Sequence, residues 1–330
     1  MTVAETELHS PASASVPNSS RPSAPTLNAP LPSLPIVEGS RQQPAPRPKS
    51  RVNWDWLGVL PFFLFAVLFL IGPILYLVKG SFQNPAGDFT LENFISLATP
   101  NIMAAYSLSL RLSLAAACLC AMAGLLVGYA IILGGLPRWV RTAFMTFSGV
   151  ASNFAGIPLA FAFIATLGRL GLVTVLLRDM FGFNLYGTGF SLFSFWGLAI
   201  TYLYFQLPLM VLIITPALDG LKGEWREAAE ILGATRRQYW QMVALPVLTP
   251  SILGCFLLLF ANAFGTLVTV YALTGSSFGV VPIVLYQQIQ GNVLYNPNLG
   301  YALAVGMVAI MAVTNTLYLI LRSRAERWQK

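Results

Sequence analysis

Glu227-Ala228-Ala229-Glu230-Ile231-Leu232-Gly233, followed by Val243-Ala244-Leu245-Pro246, lies in a charged stretch between long apolar runs. A hydrophobic chain that gathers its few charges in one loop is expected to address a soluble partner there. Two alanines after a glutamate give a slim, helix-favouring face that can enter a groove. Gly233 permits a turn with positive φ between two short helices. Pro246 lacks an N–H and suits the first turn of the helix that follows.

The rest of the composition places this loop in a membrane protein. Hydrophobic residues make up 56% of the chain and charged residues 9%, against roughly 25% charged in soluble domains. Mean hydropathy is +0.69. A transmembrane helix needs about 20 mostly apolar residues. Six segments reach that length: about Leu57 to Val78, Met103 to Leu133, Thr142 to Leu167, Leu192 to Leu218, Val247 to Leu273 and Gly300 to Leu321. Pro61, Pro73, Pro158 and Pro208 fall in or near these runs and predict kinks. The expected architecture is an all-α, six-helix polytopic bundle over 55–322. The charged loop occupies about 220–246 and a short tail follows over 323–330. Residues 1–54 hold Pro, Ser and Ala without a continuous apolar run, so they predict a disordered tail and not a signal peptide.

Lys and Arg asymmetry sets the expected orientation. Of 19 such residues, 15 fall in the tail, the second-to-third connection, the charged loop and the C-terminus. Both termini and the charged loop are therefore expected on the cytoplasmic side. The net charge of +7 reflects this bias and calls for no nucleic acid. The outer connections read as an interfacial helix after Gly168 with a Gly-rich turn, a short surface helix over Pro282–Ile289, and a turn at Asn296-Pro297-Asn298.

Glu227, Ala228, Ala229, Gly233, Val243, Leu245 and Pro246 fall at the spacing of the EAA loop, and the chain from about Leu57 to Leu321 resembles ABC importer permeases. That resemblance implies the type I importer fold and a bacterial inner-membrane location. It also implies partners: ABC ATPase subunits, a second and non-identical permease, an extracytoplasmic substrate-binding protein, and surrounding lipid. Glu227, Ala228, Ala229, Gly233, Leu245 and Pro246 would then form the coupling segment that docks on the ATPase. Ser152 to Ala160 and Asn296 to Ala302 resemble the spermidine/putrescine branch, which makes a polyamine the expected solute. The chain departs from that branch at Asn262-Ala263-Phe264-Gly265-Thr266, where a carboxylate is often found, so an aminophosphonate or another small solute stays open.

No Gly-x-x-x-x-Gly-Lys-Ser/Thr occurs, so the chain has no phosphate loop of its own. No catalytic constellation, cofactor or metal site is expected, since His9 is the only histidine and Cys118, Cys120 and Cys255 sit in apolar runs. Arg111 is the only charge well inside a predicted span, and it either snorkels outward or faces an anionic group. This scarcity disfavours the alternative of a gradient-driven carrier or channel. Polar groups inside a bundle mark cavities or interhelical contacts. Asn153, Gln206, Asn262, Thr266 and Thr269 are the expected pathway residues. The spacing of the last three predicts one shared helical face.

Overall fold

A computed structural model describes residues 55–290 and 296–327. The tail expected over 1–54 lies outside the described residues. From Val59 on, the described residues gather into one compact unit. The helices are α1 (Asp55–Ala66), α2 (Gly72–Ser81), α3 (Glu92–Ser96), α4 (Pro100–Leu133), α5 (Arg138–Asn153), α6 (Ile157–Leu167) and α7 (Leu172–Phe181). After these come α8 (Phe195–Asp219), α9 (Gly223–Ile231), α10 (Arg236–Tyr239), α11 (Leu245–Phe264), α12 (Val268–Thr274), α13 (Val281–Gln290) and α14 (Pro297–Arg327). Among the described residues the sole strand-like pairing is a bridge between Gln83 and Phe89. Among the described residues, six helical stretches are long and apolar enough to cross a membrane.

Two of those stretches contain a π turn, Val67–Ile71 between α1 and α2 and Trp240–Ala244 between α10 and α11. Each ends in a bond across five residues, Gly72 N–H to Val67 O and Leu245 N–H to Trp240 O. A proline follows at once in both cases, Pro73 and Pro246. Its ring would collide with the carbonyl four residues back, and it has no N–H to offer. The extra residue in the turn removes that conflict. Pro246 therefore does not start a helix after a loop, as the sequence suggests. The fifth span already begins at Arg236 and runs through the wide turn to Phe264.

The third span also differs from expectation. The helix predicted over Thr142 to Leu167 is interrupted at Phe154–Gly156, where Gly156 adopts φ +76° and ψ −143°. The stretch apolar enough to span runs instead over Ile157–Phe181, with a turn at Gly168–Gly171. α7 is the helix expected after Gly168, but it ends the membrane-length stretch instead of standing apart from it, and the Gly182 and Gly189 turns follow. Asn296 proves to be a cap: its Oδ1 accepts the Leu299 N–H at 3.2 Å, and Pro297 opens α14. α14 continues to Arg327, past the expected end at 322. The short helix expected over Pro282–Ile289 is present as α13, and its first turn packs into the bundle: Val281 and Ile283 are fully buried and the Val281 N–H donates to Ser109 Oγ at 2.8 Å.

α8 is the axis of the bundle, packed by α4, α5 and α11. Its closest neighbour is α4, along a seam of small residues: Ala117, Ala121, Gly124 and Gly128. Gly124 and Gly128 form a G-x-x-x-G pair, which lets two backbones approach within a bilayer. A Cβ at Gly124 would stand 2.5 Å from Met210 Cγ and 3.3 Å from the Leu207 carbonyl. Gly124→Ala is therefore expected to lower the thermal midpoint of the detergent-purified chain by about 5 °C. Gly124→Leu should leave no monodisperse protein on size-exclusion chromatography.

Candidate functional site

Two regions of this bundle bring the sequence-predicted residues together. The first is the charged loop. α8 ends at Asp219, whose Oδ2 accepts from Arg141 Nη2 at 2.7 Å and so joins the start of α5 to the end of α8. α9 then carries Glu227, Ala228 and Ala229, and none of its residues is buried. Its end is a Schellman motif. Ala234 N–H reaches Ala229 O at 2.9 Å, Gly233 N–H reaches Glu230 O at 3.0 Å, and Gly233 has φ +79°. A side chain with Cβ is strained in that conformation, which is why glycine stands there.

The chain restarts two residues later. Thr235 and Gln238 form a reciprocal capping box that fixes the first turn of α10. Arg236 Nη2 donates to Tyr129 Oη at 2.8 Å, and Trp240 packs its edge against the Tyr129 ring at 5.2 Å. These contacts anchor the second half of the loop to α4. The first half is more exposed, held internally by Arg226 Nε to Glu230 Oε1 at 2.8 Å, and Gly223, Arg226 and Glu230 face Tyr129, Tyr239 and Trp240 across a small cavity. Leu245 and Pro246 lie in the membrane-entering helix, apart from Glu227 to Gly233. Sequence reasoning missed Ile231 and Leu232, each 86% exposed at the tip of the turn. The signal available was two aliphatic side chains ending an otherwise polar helix.

The second region is where two broken helices meet. The Phe154–Gly156 interruption lies against the start of α12, just after the Gly265–Leu267 interruption that separates α12 from α11. Gly156 N–H donates to Thr269 Oγ1 at 2.9 Å across this contact. The Thr269 hydroxyl thus satisfies a backbone donor at the start of α6. Asn153 and Asn262 are exposed beside the breaks, and Thr266 is half-buried within one. Asn153 Nδ2 returns to Gly149 O at 2.8 Å, and Thr266 Oγ1 to Asn262 O at 2.7 Å.

Two expected pathway residues sit elsewhere. Thr269 is buried as the cap of Gly156, so it shares no face with Asn262, because the break at Gly265 ends the helical period. Gln206 is fully buried in α8, opens to no surface of this chain, and neither atom of its amide has a partner. Arg111 is exposed on α4, on the face that also carries Leu114, Cys118 and Met122.

Comparison with known proteins follows this geometry. Residues 121–328 match the family described as binding-protein-dependent transport system inner membrane component. A probable sulfate transport system permease protein cysT of Nephroselmis olivacea is 26% identical over 72% of this chain and 80% of its own length. The sulfate transport system permease protein CysT of Salmonella typhimurium is 28% identical over 64% of this chain and 72% of its own. The fold matches a chain of a bacterial alginate ABC transporter solved in complex with an alginate pentasaccharide-bound periplasmic protein. There the TM-score is 0.63 at 17% identity, over 85% of this chain and 99% of that one. The spermidine/putrescine expectation is corrected: these relatives carry sulfate names. The stretches that suggested polyamines have a structural account, Ser152 to Ala160 as a helix break and Asn296 to Ala302 as a capped helix start. With six membrane-length helices and the family match across most of them, the chain belongs to the binding-protein-dependent transport system inner membrane components and is a permease subunit, not an enzyme.

Proposed function

We propose that this chain forms one half of the membrane path of an ATP-driven importer for a small oxyanion, with sulfate the first candidate. The observation that carries the solute class is the similarity to sulfate permeases over most of the chain. The charge pattern supports it. The spanning helices hold no Asp or Glu away from their ends, so nothing in them would balance a polycation. Aminophosphonates fall in the same chemical class.

Its partners in this reading are a pair of ABC ATPases, a second permease and an extracytoplasmic binding protein. The loop from Glu227 to Gly233 enters a groove on the ATPase, with Ile231 and Leu232 supplying apolar contact at its tip. Lys and Arg asymmetry supports placing this loop and both termini in the cytoplasm. ATP-driven closure of the ATPases moves the loop, and Arg236 with Tyr129 carries the motion into α4. Asn153, Asn262 and Thr266 line the path beside the helix breaks.

Thermal stabilisation of the companion binding protein tests the solute. A panel of sulfate, aminophosphonates, polyamines and amino acids is expected to give a rise of about 5–10 °C with an oxyanion at a hundred times its Kd. A rise with a polyamine alone would retire the oxyanion reading and leave the importer reading in place.

A further inference from the structure

We propose that this permease holds an anionic phospholipid in a lateral cavity beside the charged loop. The cavity, about 590 Å³, opens where the ends of α4 and α8 meet the segment from α10 into α11. Its walls are Leu125, Leu126, Leu218, Leu245 and Leu248. Its remaining lining is Tyr129, Trp240 and two adjacent arginines, Arg236 and Arg237. The volume is that of a site for a sizeable organic ligand.

Three features select the occupant. The cavity opens sideways: Leu126 is 68% and Leu245 41% exposed, and Met122 and Met242 on the same helices are also bare. An opening among bare apolar side chains of spanning helices faces acyl chains, not water. Tyr129 and Trp240, residue types that mark the membrane–water boundary, stand at the charged end. Both charged groups of the lining are cations, while the nearby Glu230 lines a neighbouring cavity and is engaged by Arg226. Arg236 gives one donor to Tyr129, and a guanidinium carries five. An apolar slot with Arg236 and Arg237 in its lining fits a chain with a phosphate head, and basic pockets between spanning helices take such headgroups. This inference rests on the membrane-spanning fold and not on the solute or the ATPase contact.

The test is native mass spectrometry of the full-length chain assembled with its partner subunits, released from bilayers of equal phosphatidylglycerol and phosphatidylcholine with identical acyl chains. Phosphatidylglycerol should be retained, and Arg236→Gln/Arg237→Gln should lower its retention about tenfold relative to phosphatidylcholine. Arg236→Lys/Arg237→Lys should keep most of it. Leu126→Trp fills the cavity from its exposed side without entering the core, and should also expel the lipid. Free glycerol phosphate at millimolar concentration should not compete. Equal retention of the two lipids would overturn the proposal. Undiminished retention in Leu126→Trp would do so too, as would displacement by glycerol phosphate, which would mark a site for free phosphate. Measured uptake by the assembled transporter separates this outcome from failure of the importer reading.

Discussion

Ala228→Asp is expected to reduce solute uptake by the assembled transporter to the level of a strain lacking the ATPase, with normal amounts of the chain in the membrane. Ala228 is exposed on α9, and no residue of that helix is buried, so the new carboxylate disturbs nothing within the chain. Its effect falls on the docked state. In the proposed complex with the ATPase it would add a second charge beside Glu227 at the contact. A buried unpaired charge at an interface costs about 2–5 kcal/mol, or thirtyfold and upward in affinity. Co-purification of the ATPase with the permease should therefore fall with uptake. Ala228→Ser, which adds one small hydroxyl, should retain most of both. Normal uptake by Ala228→Asp would move the ATPase contact off this face. Ile231 and Leu232, 86% exposed at the adjacent turn, are the next surface to substitute.

This loop was readable from sequence because each part of it is local. Glu-Ala-Ala favours a helix, Gly233 ends it in a left-handed turn, and Thr235 with Gln238 caps the next one. None of those features depends on a distant neighbour. Five of the six spans were readable for the same reason, since apolar length alone predicts them, while the third was expected over Thr142 to Leu167 and lies over Ile157–Phe181. The interior detail was not. Hydropathy runs unbroken through Phe154–Gly156 and Gly265–Leu267, because glycine, alanine and phenylalanine are as apolar in a break as in a helix. The Gly156 and Pro158 pair was the available sign. The wide turns before Pro73 and Pro246 escape a pattern that counts residues at a fixed 3.6 period. Gln206 shows the limit most plainly. A lone amide on an apolar helix reads as a pathway group, but whether it faces a path or the core depends on the rotation of α8 against α4, α5 and α11. That rotation is a long-range outcome of the small-residue seam on α4.

Gly156→Ala and Thr269→Val are each expected to abolish uptake, through two different losses at one contact. At Gly156 space is not the obstacle, because an added Cβ would meet only Val268 Cγ1 at 3.5 Å. The obstacle is φ +76° with ψ −143°, a conformation close to one that only glycine adopts readily. Alanine there costs about 1–3 kcal/mol or forces the break to reshape. At Thr269 the backbone is ordinary helix, and the hydroxyl is what matters. It receives the Gly156 N–H, which helix geometry leaves without a carbonyl at this depth. Valine keeps the shape and removes the acceptor, leaving a donor unsatisfied at about 1–3 kcal/mol. The two variants should each lower the thermal midpoint in detergent by about 5 °C. Where alanine reshapes the break it gives up the same bond that valine removes, so together the two should lower the midpoint by less than their sum. Thr269→Ser restores the acceptor and should recover uptake. Full additivity of the two losses, with no rescue by serine, would mean that the breaks are stabilised independently. In that case their contact would not be the joint on which Asn153, Asn262 and Thr266 are held beside the path.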